Sequence, residues 1–124
     1  MPLYTIMTQE GQLSDKVKAR IAEEITLIHI SVMKVPKNFV RVVFLTYPKG
    51  SGYTAGVEAP TAALNCTLRR GHTVLEKTSM LRQLWAMFQS LAVIETEQLA
   101  ISLCEIPSSN AMEMGQVMQS VGNK

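Results

Sequence analysis

The chain has 124 residues, 47% of them hydrophobic and 18% charged, which is enough apolar material for one core in one compact domain spanning residues 1–124. Its 12 basic and 10 acidic residues leave a formal net charge of +2, and no basic block interleaves with aromatics, so the footprint of a nucleic-acid binder is missing. No apolar run approaches the roughly 20 residues of a bilayer-spanning helix, and Met1 to Ile6 lacks the basic and apolar regions of a secretory signal; a soluble, cytoplasmic chain is the expectation.

Residues 3–8 alternate, carry aromatic and β-branched side chains and stop before Gly11, which predicts a short strand. Ser14 then offers an N-cap oxygen, Asp15 suits the first turn, and Val17, Ile21, Ile25, Ile28 and Val32 recur at helical spacing. Pro36 ends that helix near Lys34. Phe39 to Thr46 is the strongest strand signal and reads as a central, buried strand. From Tyr47 to Pro60 the prolines and glycines predict loops and short turns rather than regular structure. Ala63 to Arg69 predicts another strand. Thr73 and Glu76 form a capping box that leads into Leu81, Leu84, Trp85, Phe88 and Leu91 on one helical face. Leu99 to Cys104 closes as the last strand. Cys66 and Cys104 lie in apolar runs without CxxC spacing or a nearby histidine, and they read as buried free thiols.

The helix starts at Ser14 and Thr73 and the strands at Phe39 and Leu99 repeat with an offset of about 60 residues. The pattern predicts an α/β (α+β) fold built from a duplicated β-α-β unit, with halves of about 1–60 and 61–124. Parallel crossovers would give a four-stranded, mainly parallel sheet with two helices on one face. The other face is apolar as well, and identical subunits are the simplest cover for it.

Candidate chemistry starts at Pro2. Removal of Met1 before a small residue would leave Pro2 as a secondary amine. Burial and a nearby arginine would lower the pKa of that amine, and a neutral amine can act as a base. By itself, Pro2 reads more readily as an ordinary residue to follow Met1. His29 lies at the edge of the apolar stripe of the first helix, where function and a satisfied structural histidine are even alternatives. Arg69 and Arg70 end a strand, as a solvated strand end or an inter-subunit salt bridge would. Glu113 sits in a weakly patterned tail, where the plain reading is a surface carboxylate on a short turn. His72 belongs to the turn before the second helix, and Met112, Met114 and Met118 suggest subunit packing. Gly50-Ser51-Gly52 lacks the helix and the Lys-Ser/Thr ending of a phosphate loop. No metal-ligand cluster is visible.

Several features occur together in a fixed order: Pro2 heading a strand, the duplicated layout, His29 late in the first helix, Leu68-Arg69-Arg70-Gly71, Glu105-Ile106-Pro107 and Met112-Glu113-Met114-Gly115. In this the chain resembles the cis-3-chloroacrylic acid dehalogenase branch of the tautomerase superfamily, and more weakly the macrophage migration inhibitory factor group. The resemblance implies a homotrimer with sites near subunit edges. It also implies a catalytic amine on Pro2, substrate-carboxylate contacts on His29 and Arg69, and a water-activating or proton-handling carboxylate on Glu113. Two groups of that pattern are missing: a second arginine falls on His72, which could replace it as a donor, and a tyrosine falls on Ser102. The expected function is therefore a cofactor-free isomerase of a small unsaturated or 2-oxo carboxylate. The alternatives are a weak dehalogenase or hydratase, a Schiff-base decarboxylase, and a non-enzymatic trimeric binding module.

Overall fold

The computed structural model describes residues 1–119. Strand β1 (Leu3–Gln9) leads into helix α1 (Asp15–Met33), and β2 (Arg41–Tyr47) follows. A small hairpin of β3 (Tyr53–Thr54) and β4 (Val57–Glu58) ends the first half. The second half repeats the series as β5 (Ala62–Arg69), α2 (Val74–Ala92), β6 (Leu99–Ile106) and a hairpin of β7 (Met112–Glu113) and β8 (Gln116–Val117).

The main sheet has the order β2-β1-β5-β6. Each β-α-β unit forms a parallel pair, β1 with β2 and β5 with β6, and the two units join through an antiparallel β1–β5 pairing at the centre. The sheet is thus mixed, with two of its pairings parallel as expected from helical crossovers. The helices begin where their sequences supply caps: the Ser14 hydroxyl accepts from the Val17 N–H at 3.2 Å, and Thr73 and Glu76 complete a reciprocal capping box.

The core lies between the helices and one sheet face. Tyr4, Ile6, Leu64, Cys66 and Leu68 from the strands meet Ile21, Ile25, Met80, Leu84 and Phe88 from the helices, all almost fully buried. Each such aliphatic or aromatic side chain contributes about 1.5–3 kcal/mol through burial. The halves match position by position. Ile21, Ile25, His29 and Met33 are the buried residues of α1, and Met80, Leu84, Phe88 and Ala92 are those of α2. The helices end on Lys34 and Val93, both left-handed. The hairpins turn on Ala55-Gly56 and Met114-Gly115, all four residues at positive φ, as two-residue hairpin loops require.

Four expectations are corrected. Phe39 belongs to a short 3-10 turn, and β2 is an edge strand pairing only with β1, not a central one. Its apolar residues divide between the helix face, where Val42 and Phe44 are half-buried, and the uncovered face, where Val43 and Leu45 are exposed. The same uncovered face holds Cys104, which is therefore exposed in the single chain, whereas Cys66 is buried as expected. The stretch from Tyr47 to Pro60 contains the β3–β4 hairpin, because Ala55-Gly56 makes the turn without the usual Asn-Gly signal. The segment around Glu113 is the equivalent β7–β8 hairpin, not an open tail.

No helix among the described residues is long and apolar enough to cross a membrane.

Candidate active site

The head of β1 is gripped from both sides. Leu3 pairs in parallel with Arg41 of β2 and antiparallel with Thr67 of β5, and the Arg41 N–H donates to the Pro2 carbonyl at 3.2 Å. Carrying the antiparallel register back two residues brings Met1 level with Arg69. Alternation along the strands puts Arg41 and Arg69 on the uncovered face, flanking the chain head. Pro2 itself is buried.

The β7–β8 hairpin closes the site from above. Its base is fixed by the Met118 N–H donating to the Ala111 carbonyl at 2.8 Å. This places Glu113 in the interior at 8% exposure, where one carboxylate oxygen abuts the Met1 amine and the other accepts from Arg41 Nη1 at 3.2 Å. A buried carboxylate requires such cationic partners. Arg69 Nη1 donates to the Gln119 carbonyl at 2.6 Å. Arg69 and Glu113 both line a cleft of about 240 Å³, walled further by Phe39, Met114, Gln116 and Val117.

Charge at the chain head is disfavoured. Burial, then Arg41, then Arg69 lower the pKa of the Met1 amine from 8.0 to about 6. Cys66 pulls the other way and does not reverse this.

On α1, His29 is 1% exposed. Its Nδ1 lies 2.6 Å from the Tyr4 hydroxyl, and the two rings meet edge to face. Burial, then His72, then the terminal amine lower its pKa to about 4, so it is neutral at pH 7. The Tyr4 hydroxyl and the Cys66 thiol are both held protonated, mainly by burial, the thiol pushed up to about 12. The His72 side chain is nearly buried beside Glu76 at 4.0 Å, at the start of α2. Nearby, Lys77 donates to Glu105 at 2.8 Å, which with burial opposing it holds the Glu105 carboxyl below its ordinary range.

Of the residues singled out from sequence, Pro2, Arg69 and Glu113 are therefore brought together at one end of the sheet. His29 is buried against Tyr4 of the strand that Pro2 heads, and the field of the terminal amine reaches it. His72 does not line the Arg69–Glu113 cleft. Ser102 lies on the uncovered face, where its hydroxyl donates to Asn65 at 2.9 Å. Three participants were not singled out: Arg41, Tyr4 and Phe39. A lone charge inside the apolar run Phe-Val-Arg-Val-Val was the available signal for Arg41. Among the described residues, no group of three His, Cys, Asp or Glu side chains is arranged to hold a metal ion.

The fold and site define a class: duplicated β-α-β chains with a buried chain head flanked by arginines and a carboxylate. Residues 1–98 match the family described as "Putative oxalocrotonate tautomerase enzyme". The chain belongs to that family, within the tautomerase superfamily. It is 30% identical to Ps01740, whose native crystal structure superposes with a TM-score of 0.87 over 90% of this chain and 99% of that one. It is 25% identical to N1, a member of the cis-3-chloroacrylic acid dehalogenase family, with a TM-score of 0.91 over 97% and 85% of the two chains. The symmetric trimer of wild-type fused 4-OT shares the fold at 18% identity, with a TM-score of 0.86 over 98% and 99%. No curated protein matches the sequence.

Proposed function

We propose that this protein, once Met1 is removed, is a cofactor-free tautomerase of small unsaturated or 2-oxo carboxylates, with Pro2 as its acid and base. The observation that carries the reading is the environment of the chain head, where burial and the flanking Arg41 and Arg69 disfavour positive charge on the terminal amine. A neutral Pro2 nitrogen takes the proton of an enol hydroxyl. The O–H electrons close the carbonyl, and the C=C pair takes the proton back from the prolinium at carbon, which regenerates the amine. Arg69 holds the substrate carboxylate through paired hydrogen bonds, with His29 as a further donor, and Arg41 and Arg69 stabilise the developing enolate charge. Loss of Met1 also leaves Glu113 facing the space that Met1 fills.

Buried Glu113 favours a second reading, in which it activates water for hydration or dehalogenation of a 3-haloacrylate while protonated Pro2 donates to the α-carbon. The likeness to N1 supports this. Without the second arginine, and with Ser102 where the tyrosine would fall, this activity is expected to be the weaker one, His72 being the substitute donor on offer. The uncovered sheet face, with Met7, Val43 and Leu45 about half exposed, fits burial in a homotrimer, the assembly of fused 4-OT.

The test is ketonisation of phenylenolpyruvate, followed by loss of enol absorbance, alongside the intact mass. Activity that disappears in Pro2→Ala, in a protein whose mass lacks Met1, supports the proposal. Equal activity in Pro2→Ala overturns it. A mass that retains Met1 favours a non-enzymatic binding module.

A further inference from the structure

We infer that Tyr4 is a positioning residue that fixes His29 in its Nε2–H tautomer, so that His29 meets a substrate oxygen as a neutral hydrogen-bond donor. This rests on the function proposed above.

The inference comes from counting protons at one buried contact. Tyr4 and Cys66 are cross-strand partners on β1 and β5, and both are completely buried. The Tyr4 hydroxyl meets His29 Nδ1 at 2.6 Å. The hydroxyl has a single proton. It can be given to the imidazole nitrogen; if Nδ1–H points at the phenol oxygen instead, the buried hydroxyl proton is left with nothing better than the sulfur of its cross-strand partner Cys66. Imidazole nitrogen is a strong acceptor and sulfur a weak one, and the short contact fits O–H···N. The first arrangement wins and leaves the histidine proton on Nε2.

Packing alone does not require these polar groups. Tyr4 pairs with Val42, and in the second half Leu64 pairs with Ile101 at the equivalent register. His29 on α1 corresponds to Phe88 on α2. The same core positions are thus filled by Leu64 and Phe88 in the half without Pro2. Burying a hydroxyl and an imidazole instead carries a desolvation cost that their mutual hydrogen bond offsets only in part. The Met1 amine and His72 are the other titratable groups whose fields reach the ring, and both disfavour its protonation. A neutral donor with a fixed proton can polarise a carbonyl or hold an enolate oxygen without exchanging protons with Pro2.

The experiment is a long-range ¹H–¹⁵N spectrum of His29 in the ¹⁵N-labelled full chain, recorded from pH 8 to 5, with enol ketonisation kinetics beside it. We expect a single Nε2–H tautomer in the wild type. We expect Nδ1–H signal to appear in Tyr4→Phe, with kcat/KM falling about tenfold, and Tyr4→Phe to add nothing in a His29→Gln background. An Nδ1–H tautomer in the wild type overturns the inference, as does a Tyr4→Phe protein with unchanged tautomer and kcat/KM, or full additivity with His29→Gln. If Tyr4→Phe does not fold, the wild-type spectrum decides. The tautomer is read without substrate, so failure of the proposed function shows separately, as Pro2→Ala activity equal to wild type.

Discussion

The Arg41 guanidinium stands 3.2 Å from the Glu113 carboxylate although 72 positions separate them in sequence. That ion pair ties the last hairpin of the second half to the first residue of β2 in the first half. It also places a fixed cation beside the chain head. Two consequences follow, one electrostatic and one positional.

Replacing Arg41 by Gln is predicted to raise the pKa of the terminal amine above its value of about 6, towards the ordinary 8.0. Arg69→Gln should act in the same direction but less, because Arg41 is the larger of the two charge effects. The rate of N-terminal amine labelling against pH checks both. Burial is the largest cause, so neither variant should restore the ordinary value in full.

His29 should make the fold sensitive to acid. Its pKa is lowered from 6.5 to about 4, so between those values the unfolded chain binds the proton that the folded chain refuses. Stability from this group is complete above pH 6.5 and declines as pH falls to 4, by about 3 kcal/mol in all. Urea unfolding of the wild type across that window should show the decline. His29→Phe, which copies the matching position on α2, should flatten the curve.

Val93 ends α2 in a left-handed conformation at φ 52° and is 83% exposed. A β-branched residue is strained there, and it buries little in return. Val93→Gly removes the strain at the cost of a more flexible unfolded chain. A net gain of up to about 1 kcal/mol is expected in thermal or urea unfolding.

The duplication was legible because both helices carry their own caps and a clean apolar stripe, so Ser14 and Thr73 announce the same unit twice. The edge position of β2 was not, because a strand with one face on helices and the other bare has the same apolar run as a strand buried in mid-sheet. The hairpins escaped notice since Ala55-Gly56 and Met114-Gly115 lack the asparagine or aspartate that marks most such turns. In the site, Pro2, Arg69 and Glu113 could be found along the chain. Arg41 announced itself only as a lone charge in an apolar run and Tyr4 not at all, since their roles arise from partners 72 and 25 positions away. Only the strand register and the hairpin fold bring those partners together.

The most direct test of Pro2 as a base is its own titration, by ¹⁵N NMR of the protein labelled at proline and freed of Met1. The burial and the two guanidiniums that act on the chain head predict a Pro2 amine that is neutral at pH 7, with the acid limb of kcat/KM breaking at the same pH as the resonance. A Pro2 amine still fully charged at pH 7, or a pH–rate profile that ignores its titration, would contradict the assignment.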